Sequence, residues 1–309
     1  MIVNQKKMSD LAEHLLQAEE VQGRSLWADA YSRFHRNKAA LTGVITLVLV
    51  VLFALIGPLF AQYSNEEIDW AVIGQVKQLG APSFTSGHYF GTDDLGRDLF
   101  ARVIQGTTVS LMVGFIGSFV AVIVGTLYGA VAGYTGGRVD NFMMRLVDIL
   151  MSIPYMFVLI IMLVIFGRSI EMLFLGIGLV SWFDMSRIVR GQTLSIKNKE
   201  YIEAAIAAGV SNFTIILRHI VPNLIGIVVV YASLLVPGFI MAESFISFLG
   251  LGIQEPATSW GALINQGSRT MQYGTLWQLL FPLFFFVITL FSMFFIGDGL
   301  RDALDPKDR

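Results

Sequence analysis

The sequence predicts an all-α polytopic membrane protein with six transmembrane helices. Hydrophobic residues make up 55% of the 309 residues and charged residues only 14%. Five uncharged runs each approach or exceed the roughly 20 residues that a helix needs to cross a hydrocarbon core, and a sixth run is shorter. The five long runs are residues 41–60, 103–137, 149–167, 220–242 and 270–297, and the short one is 172–183.

The distribution of basic residues decides whether the short run is a span. It lies between Glu171 and Asp184, and alone it could be a buried or re-entrant segment. Lys and Arg concentrate in cytoplasmic loops, and six spans with the N-terminus inside place 16 of the 21 Lys and Arg on the inner side. Five spans would move the basic segment 187–218 and the C-terminal tail outside. We therefore predict six spans, with both termini in the cytoplasm.

The N-terminal third divides into three parts. Residues 1–38 form a cytoplasmic arm, in which 11–20 could make one polar helix and 25–36 an amphipathic helix suited to the membrane interface; a partly ordered arm is the alternative. The apolar side of the second helix carries Leu26, Trp27, Ala30, Tyr31 and Phe34. Residues 39–61 form the first transmembrane helix and 62–106 an external loop.

The remaining chain forms a closely connected core of five spans, residues 107–300, followed by a short cytoplasmic tail, 301–309. The second span of the chain, which is the first span of this core, carries a row of small residues, Gly125-x-x-x-Gly129-x-x-x-Gly133. Such rows let helices approach closely. The row could pack against a partner subunit or against another helix of this chain, and the sequence leaves both open.

A charged loop at about 198–222 lies between two spans and has the pattern of a helix, a glycine break and a second helix. We expect Asn198 to cap the first helix, with acids in its first turns. Gly209 can take positive φ and end that helix. Ser211 should cap a second helix over 212–220, and Pro222 should mark its passage into the next span.

This loop offers a docking surface. Its alanines have little bulk, so the helix can lie deep in a groove of another protein, and Glu203 supplies a charge that an arginine could bind. The alternative is an ordinary amphipathic connector on the bilayer. The pattern Glu203-Ala-Ala-x-x-x-Gly209, with Pro222 thirteen positions later, resembles the EAA loop of binding-protein-dependent ABC importer permeases.

The resemblance implies a type I ABC importer permease fold in a bacterial inner membrane. The loop would be the coupling helix seated in a cleft of an ATPase subunit, with Glu203, Ala204, Ala205 and Gly209 as the ATPase-coupling residues. The general pattern has Ile and Leu where this chain has His219 and Val221. Because 218–223 is similar to the peptide-permease branch, we interpret His219 as a feature of that branch and not as a ligand.

Other segments narrow the resemblance. The external sequence Phe90-Gly-Thr-Asp-Asp-Leu-Gly-Arg-Asp98 resembles the C-type subunit of oligopeptide, dipeptide and nickel importers, as does 247–261. Segments 23–27, 188–194 and 297–309 are similar to the oligopeptide member. We expect the first segment to be a structural turn, with its two glycines at tight turns and its charged residues cross-linking the loop. Those charged residues are Asp93, Asp94, Arg97 and Asp98.

The resemblance implies a non-catalytic permease subunit with several partners. These are a second permease subunit, two ABC ATPase subunits, an external oligopeptide-binding protein, a peptide substrate and membrane lipid, without nucleic acid. None of the lysines follows a glycine, so the chain contains no phosphate-binding G-x-x-x-x-G-K-[ST] loop. ATP and Mg would bind the partner ATPases. With no cysteine and four dispersed histidines, we expect no metal or catalytic site.

Two alternatives remain, namely the same importer class acting on dipeptides or nickel, and a self-sufficient secondary transporter. Three carboxylates near the apolar runs are further candidates, because ionisable residues in membranes are often functional. Asp148 lies three residues after Arg145, and Asp184 three before Arg187, spacings that permit pairing on one helix. We therefore interpret both as interfacial pairs at the inner ends of spans. Glu243, near the outer end of its span, is the candidate substrate-path residue.

Overall fold

The computed structural model describes residues 26–304, and within them the chain forms no β-strand, only two isolated bridges. This confirms the all-α fold. The polar helix predicted at 11–20 and the tail residues 305–309 lie outside the described residues. The helices are α1 (Leu26–Arg36), α2 (Lys38–Ile56), α3 (Val76–Leu79), α4 (Leu99–Thr135), α5 (Gly137–Met151), α6 (Tyr155–Phe166), α7 (Ile170–Ile196), α8 (Glu200–Ala207), α9 (Asn212–Phe248), α10 (Trp260–Thr270) and α11 (Trp277–Leu304).

Five described helices, namely α2, α4, α7, α9 and α11, are long and apolar enough to cross a membrane. The pair α5 and α6, bent by 69° at their junction, makes a sixth span if counted together. The sequence left the short run 172–183 in doubt as a span, but this run belongs to the 27-residue helix α7. The run 149–167 is the broken one: α6 has twelve residues, about 18 Å of helix, well short of a bilayer core of about 30 Å.

The helix α1 forms as predicted but packs partly on protein. Ala30 is buried, and the Phe34 ring lies against the backbone of Gly299 in α11. Trp27 and Tyr31 remain exposed, so only this part of the apolar side is available to an interface. Asn37 ends α1 and caps α2, its side-chain oxygen accepting a hydrogen bond from the Ala40 amide at 3.1 Å.

The glycine row of α4 packs within this chain, against α7. A Cβ placed on Gly125 would lie 2.6 Å from the Cβ of Met185, and one on Gly133 would lie 2.8 Å from the Cβ of Thr193. Gly129 is held as closely, against the backbone of the same helix. Contacts of this kind leave no room for a side chain, so the row is accounted for by the α4–α7 interface.

The external loop is shorter than predicted because α4 begins at Leu99 and not after residue 106. Asp98 caps this helix by accepting a hydrogen bond from the Ala101 amide at 2.8 Å. The loop also contacts the start of α11, where Trp277 and Gln278 donate to the Thr92 carbonyl at 3.1 and 2.9 Å. The loop that follows α2 thereby joins the starts of α4 and α11.

Candidate functional site

The predicted docking loop contains the helix α8, which starts one residue later than expected. Its N-cap is Lys199, and the Asn198 amide instead donates back to the Leu194 carbonyl at 3.4 Å. The prediction that Asn198 caps this helix is therefore wrong. Glu200 and Glu203 lie in the first turn as predicted, where carboxylates interact favourably with the helix dipole.

The glycine break is confirmed. Gly209 has φ +74°, and the Val210 amide donates to the Ala205 carbonyl at 3.1 Å, which closes the end of α8. Ser211 then caps the next helix by accepting from the Thr214 amide at 3.3 Å. That next helix is not separate, because a π-helical turn at Ile216–Ile220 carries it through Pro222 into the span α9.

One side of the loop is anchored in the core. Ile202 is fully buried and Ala205 nearly so, because residues three apart share a face of a helix. They pack with apolar residues at the inner ends of α7 and α9, including Val189 and Ile215. Of the four predicted coupling residues, Ala205 therefore packs against the core of this chain.

The other side of the loop is exposed and partly apolar. It contains the remaining three predicted residues, Glu203, Ala204 and Gly209. Phe213, 71% exposed, and Ile206, 53% exposed, project beside them. Sequence reasoning missed Phe213, although an aromatic residue just after the polar pair Ser211 and Asn212 was a readable signal. Exposed aromatic side chains at a polar rim are typical of protein interfaces.

Polar contacts fix the loop and the helices next to it to the bundle. The Lys197 ammonium donates to the Gly133 carbonyl at 3.1 Å, and the Tyr134 hydroxyl donates to Asn212 at 3.1 Å. In α7, Arg190 forms a bidentate pair with Asp140 of α5 at 2.5 and 2.6 Å, a geometry that fixes orientation. The loop is therefore attached to α4 and α9 directly, and α7 is attached to α5.

The predicted pairing of the inner carboxylates is wrong. Arg187 pairs with Asp148 across α7 and α5, and neither joins the neighbour on its own helix. The helix α5 runs alongside α7, so Asp148 on the facing helix binds Arg187 in place of a neighbour three residues away on the same helix. Within the described residues, Asp184 has no ion pair.

Glu243 lies in a buried cluster of serines. The side chain is 0% exposed and accepts hydrogen bonds from Ser110, Ser244 and Ser247 at 2.9, 3.2 and 2.7 Å. The Ser110 hydroxyl oxygen also accepts from the Trp260 amide at 3.2 Å. Glu243 therefore joins α9 to α4 and α10, and in this conformation it faces the interior of the subunit and not a solvent-accessible path.

The external charged cluster is structural, as expected. Arg97 donates to Asp93 at 2.7 Å and to Glu255 at 2.7 Å, which joins two loops far apart in sequence. Burial alone would lower the pKa of Arg97, but its carboxylate partners raise it above the usual value, and the same hydrogen bond lowers the pKa of Glu255. Asp94 is exposed and outside these contacts, so its predicted cross-linking role is wrong.

His88 is a further structural residue that sequence reasoning missed. Its ring is buried beside Asp98, with Nδ1 2.8 Å from that carboxylate, and it stacks on Tyr63 at 4.2 Å. Burial is the main cause that raises the pKa of Asp98. No sequence spacing marked this pair, since the turns at Gly91 and Gly96 bring the two side chains together.

Comparison with known proteins agrees with this architecture. Residues 125–309 match the family described as binding-protein-dependent transport system inner membrane component, and residues 25–78 match the N-terminal TM domain of oligopeptide transport permease C. The oligopeptide transport system permease protein OppC of Escherichia coli K12 is 56% identical over 98% of this chain and 99% of its own length. OppC of Haemophilus influenzae is 50% identical over 99% and 97%, and the dipeptide transport system permease protein DppC of Bacillus subtilis is 42% identical over 91% and 86%.

Proposed function

Because the chain belongs to the family of binding-protein-dependent transport system inner membrane components, we propose that it is the transmembrane subunit of an ATP-driven importer of oligopeptides. It is a multi-pass inner membrane protein. The observation that supports the substrate is the 50–56% identity to oligopeptide permeases over nearly the whole chain. Both termini lie in the cytoplasm in this proposal, which the distribution of basic residues supports.

The chain itself would be non-catalytic and would work with four kinds of partner. These are a second permease subunit, two ATPase subunits that bind ATP and Mg, an external peptide-binding protein, and the peptide. The exposed side of the loop, with Glu203, Ala204, Gly209 and Phe213, would be the surface that meets an ATPase. Burying a phenylalanine contributes about 1.5–3 kcal/mol, so Phe213 would supply a large part of that contact.

The packing of the loop supports a mechanical role. Since Ile202 and Ala205 are embedded in the core and Lys197 is bonded to α4, a force on α8 would displace the inner ends of α4, α7 and α9 together. Closure of the ATPases would draw the loop inward and open the cavity to the outside, and hydrolysis would reset it. Rigid-body motion about an interface needs two stable packings and no chemistry in this chain.

The alternatives have less support. A dipeptide importer is the nearest one, because DppC of Bacillus subtilis is 42% identical, below the two oligopeptide proteins described above. A self-sufficient secondary transporter would leave the exposed apolar side of the loop without a role.

Co-purification tests the proposal. The chain would be tagged at its C-terminus, extracted in mild detergent and analysed for associated chains. We expect a second permease and two nucleotide-binding chains, with ATP hydrolysis stimulated by tetrapeptide plus the binding protein more than by dipeptide. A chain that purifies alone and moves solute in liposomes without ATP would refute it.

Substitutions test the coupling residues. Glu203→Ala and Gly209→Val should abolish peptide-stimulated ATP hydrolysis while membrane insertion is retained. Among described residues nothing lies within 4 Å of a Cβ on Gly209, so the effect of valine would come from the positive φ alone. Gly209→Asn is the matched control, because asparagine tolerates this conformation. Normal uptake in Glu203→Ala and Gly209→Val would remove the coupling role.

A further inference from the structure

A cavity of about 350 Å³ lies where the broken span meets α7 and α9. Its walls are mostly apolar, with Leu150 and Ile153 from the α5–α6 junction and Leu234 and Phe239 from α9. This size and character are typical of small-molecule sites, which combine apolar walls with a few polar groups. The polar groups here include the carboxylate of Asp184.

Asp184 is an exposed carboxylate in the wall of this cavity, and it has no counter-ion among the described residues. It lies near the middle of α7, about 21 Å from one end and about 18 Å from the other at 1.5 Å per residue. The nearest arginines on its helix are engaged, Arg187 by Asp148 and Arg190 by Asp140. Within the described residues nothing neutralises Asp184, and membrane carboxylates of this kind mark substrate or ion paths.

The backbone around the cavity is also irregular. Pro154 precedes the bend between α5 and α6 and lines the cavity, and Pro237 lies inside α9 next to the cavity residue Gly238. Proline removes a helical hydrogen bond, and irregular backbone at membrane depth occurs where it is buried in protein or lines a cavity. A Cβ on Gly238 would meet no atom of the described chain within 4 Å, so this wall is open.

We propose that Asp184 binds a cationic group of the peptide, a terminal ammonium or a lysine side chain, in this cavity during transport. The proposal rests on the function proposed above. An ammonium needs acceptor oxygens when it leaves water, and Asp184 supplies them with a full negative charge. The Tyr155 hydroxyl and Ser181, both in the cavity wall, offer further oxygens. The apolar walls accept the neighbouring side chain without a sequence requirement.

The test is uptake by the complete complex in proteoliposomes, with two tetrapeptides that differ only in lysine or norleucine at one position. Asp184→Asn should lower the lysine-to-norleucine ratio of kcat/KM about tenfold, equivalent to about 1.4 kcal/mol. Using one binding protein throughout cancels its own preference. Glu171→Gln, on the same helix but outside the cavity, is the matched control and should leave the ratio unchanged.

The outcomes separate this inference from the proposed function. An equal fall for both peptides, or no change, would overturn the role of Asp184, whereas a wild-type complex that accumulates neither peptide with ATP would refute the function itself. If Asp184→Asn does not assemble, Leu234→Lys provides the second test. It places a competing ammonium in the cavity while Asp184 stays, and it should lower the same ratio; an unchanged ratio there would again contradict the inference.

Discussion

The contact of Gly129 with α7 predicts a specific loss of stability on adding one methyl group. A Cβ at this position would lie 2.9 Å from the Cβ of Val189 and 3.0 Å from the Arg190 nitrogen, and closer still to the Ser186 carbonyl oxygen, where ordinary contacts begin at 3.4 Å. The obstructing atoms are mostly backbone, so α4 and α7 must separate. Overpacking of this kind costs about 1–3 kcal/mol.

The net effect of Gly129→Ala is smaller because alanine favours helix by about 1 kcal/mol over glycine. We therefore expect the free energy of unfolding to fall by about 0–2 kcal/mol. The control is Gly191→Ala in α7, where nothing among the described residues lies within 4 Å of the new Cβ. That variant keeps the propensity gain without the clash, so the two variants should differ by about 1–3 kcal/mol.

The measurement is unfolding by sodium dodecyl sulfate in mixed micelles, followed by tryptophan fluorescence. Trp182, whose carbonyl faces Gly125 across the same interface, reports on the separation of these helices. If Gly129→Ala proves as stable as Gly191→Ala, the close approach of α4 and α7 does not exist as described. The assignment of the glycine row to packing within this chain would then fail with it.

Two further predictions concern buried and external carboxylates. Glu243→Ala should lower the thermal midpoint of the complex more than Glu243→Gln, because Ser110 loses its acceptor at a cost of about 1–3 kcal/mol. Uptake per folded complex should stay unchanged in both variants. Selective loss of uptake in Glu243→Gln would instead support a path role. The pKa of Glu255 is lowered from 4.5, first by its hydrogen bond from Arg97. The stability that the ionised Glu255 gives to the folded protein is therefore complete above pH 4.5 and is lost as the pH falls through the lowered pKa. Hydrogen-exchange protection of the external loop, corrected for the intrinsic effect of pH on the exchange rate, should fall there more in the wild type than in Glu255→Gln. Equal protection profiles would contradict the link.

The fold and much of the loop were predictable because their signals are local. Hydrophobic runs predicted the membrane-spanning helices. Gly209 and Ser211 predicted the break after α8, because positive φ and a side-chain cap depend on single residues. The distribution of charges gave the sixth span. Local pattern also placed Glu203, Ala204 and Ala205 on one short helix.

Contacts between distant elements were not predictable. The partner of Arg187 was assigned to its own helix, yet the bend at Pro154 brings Asp148 of α5 within reach. The alanines of the loop look alike in sequence, and only the position of the core distinguishes the buried Ala205 from the exposed Ala204. The hydrogen bonds of Glu243 to serines were not predictable either, because depth can be read from a hydropathy run, whereas the direction that a side chain faces cannot.

The contacts that hold the external loop to later parts of the chain also limit the order in which the subunit can be completed. Glu255, the partner of Arg97, is synthesised 158 residues after it. Trp277 and Gln278, the donors to the Thr92 carbonyl, are synthesised 185 and 186 residues after Thr92. Until the last span enters the bilayer, the external loop contains charged side chains that are buried only in the finished subunit, and a backbone carbonyl that has no permanent partner. The external loop can therefore reach its final arrangement only after the last span has been synthesised, and a chain that lacks α11 would leave the Thr92 carbonyl without these two donors.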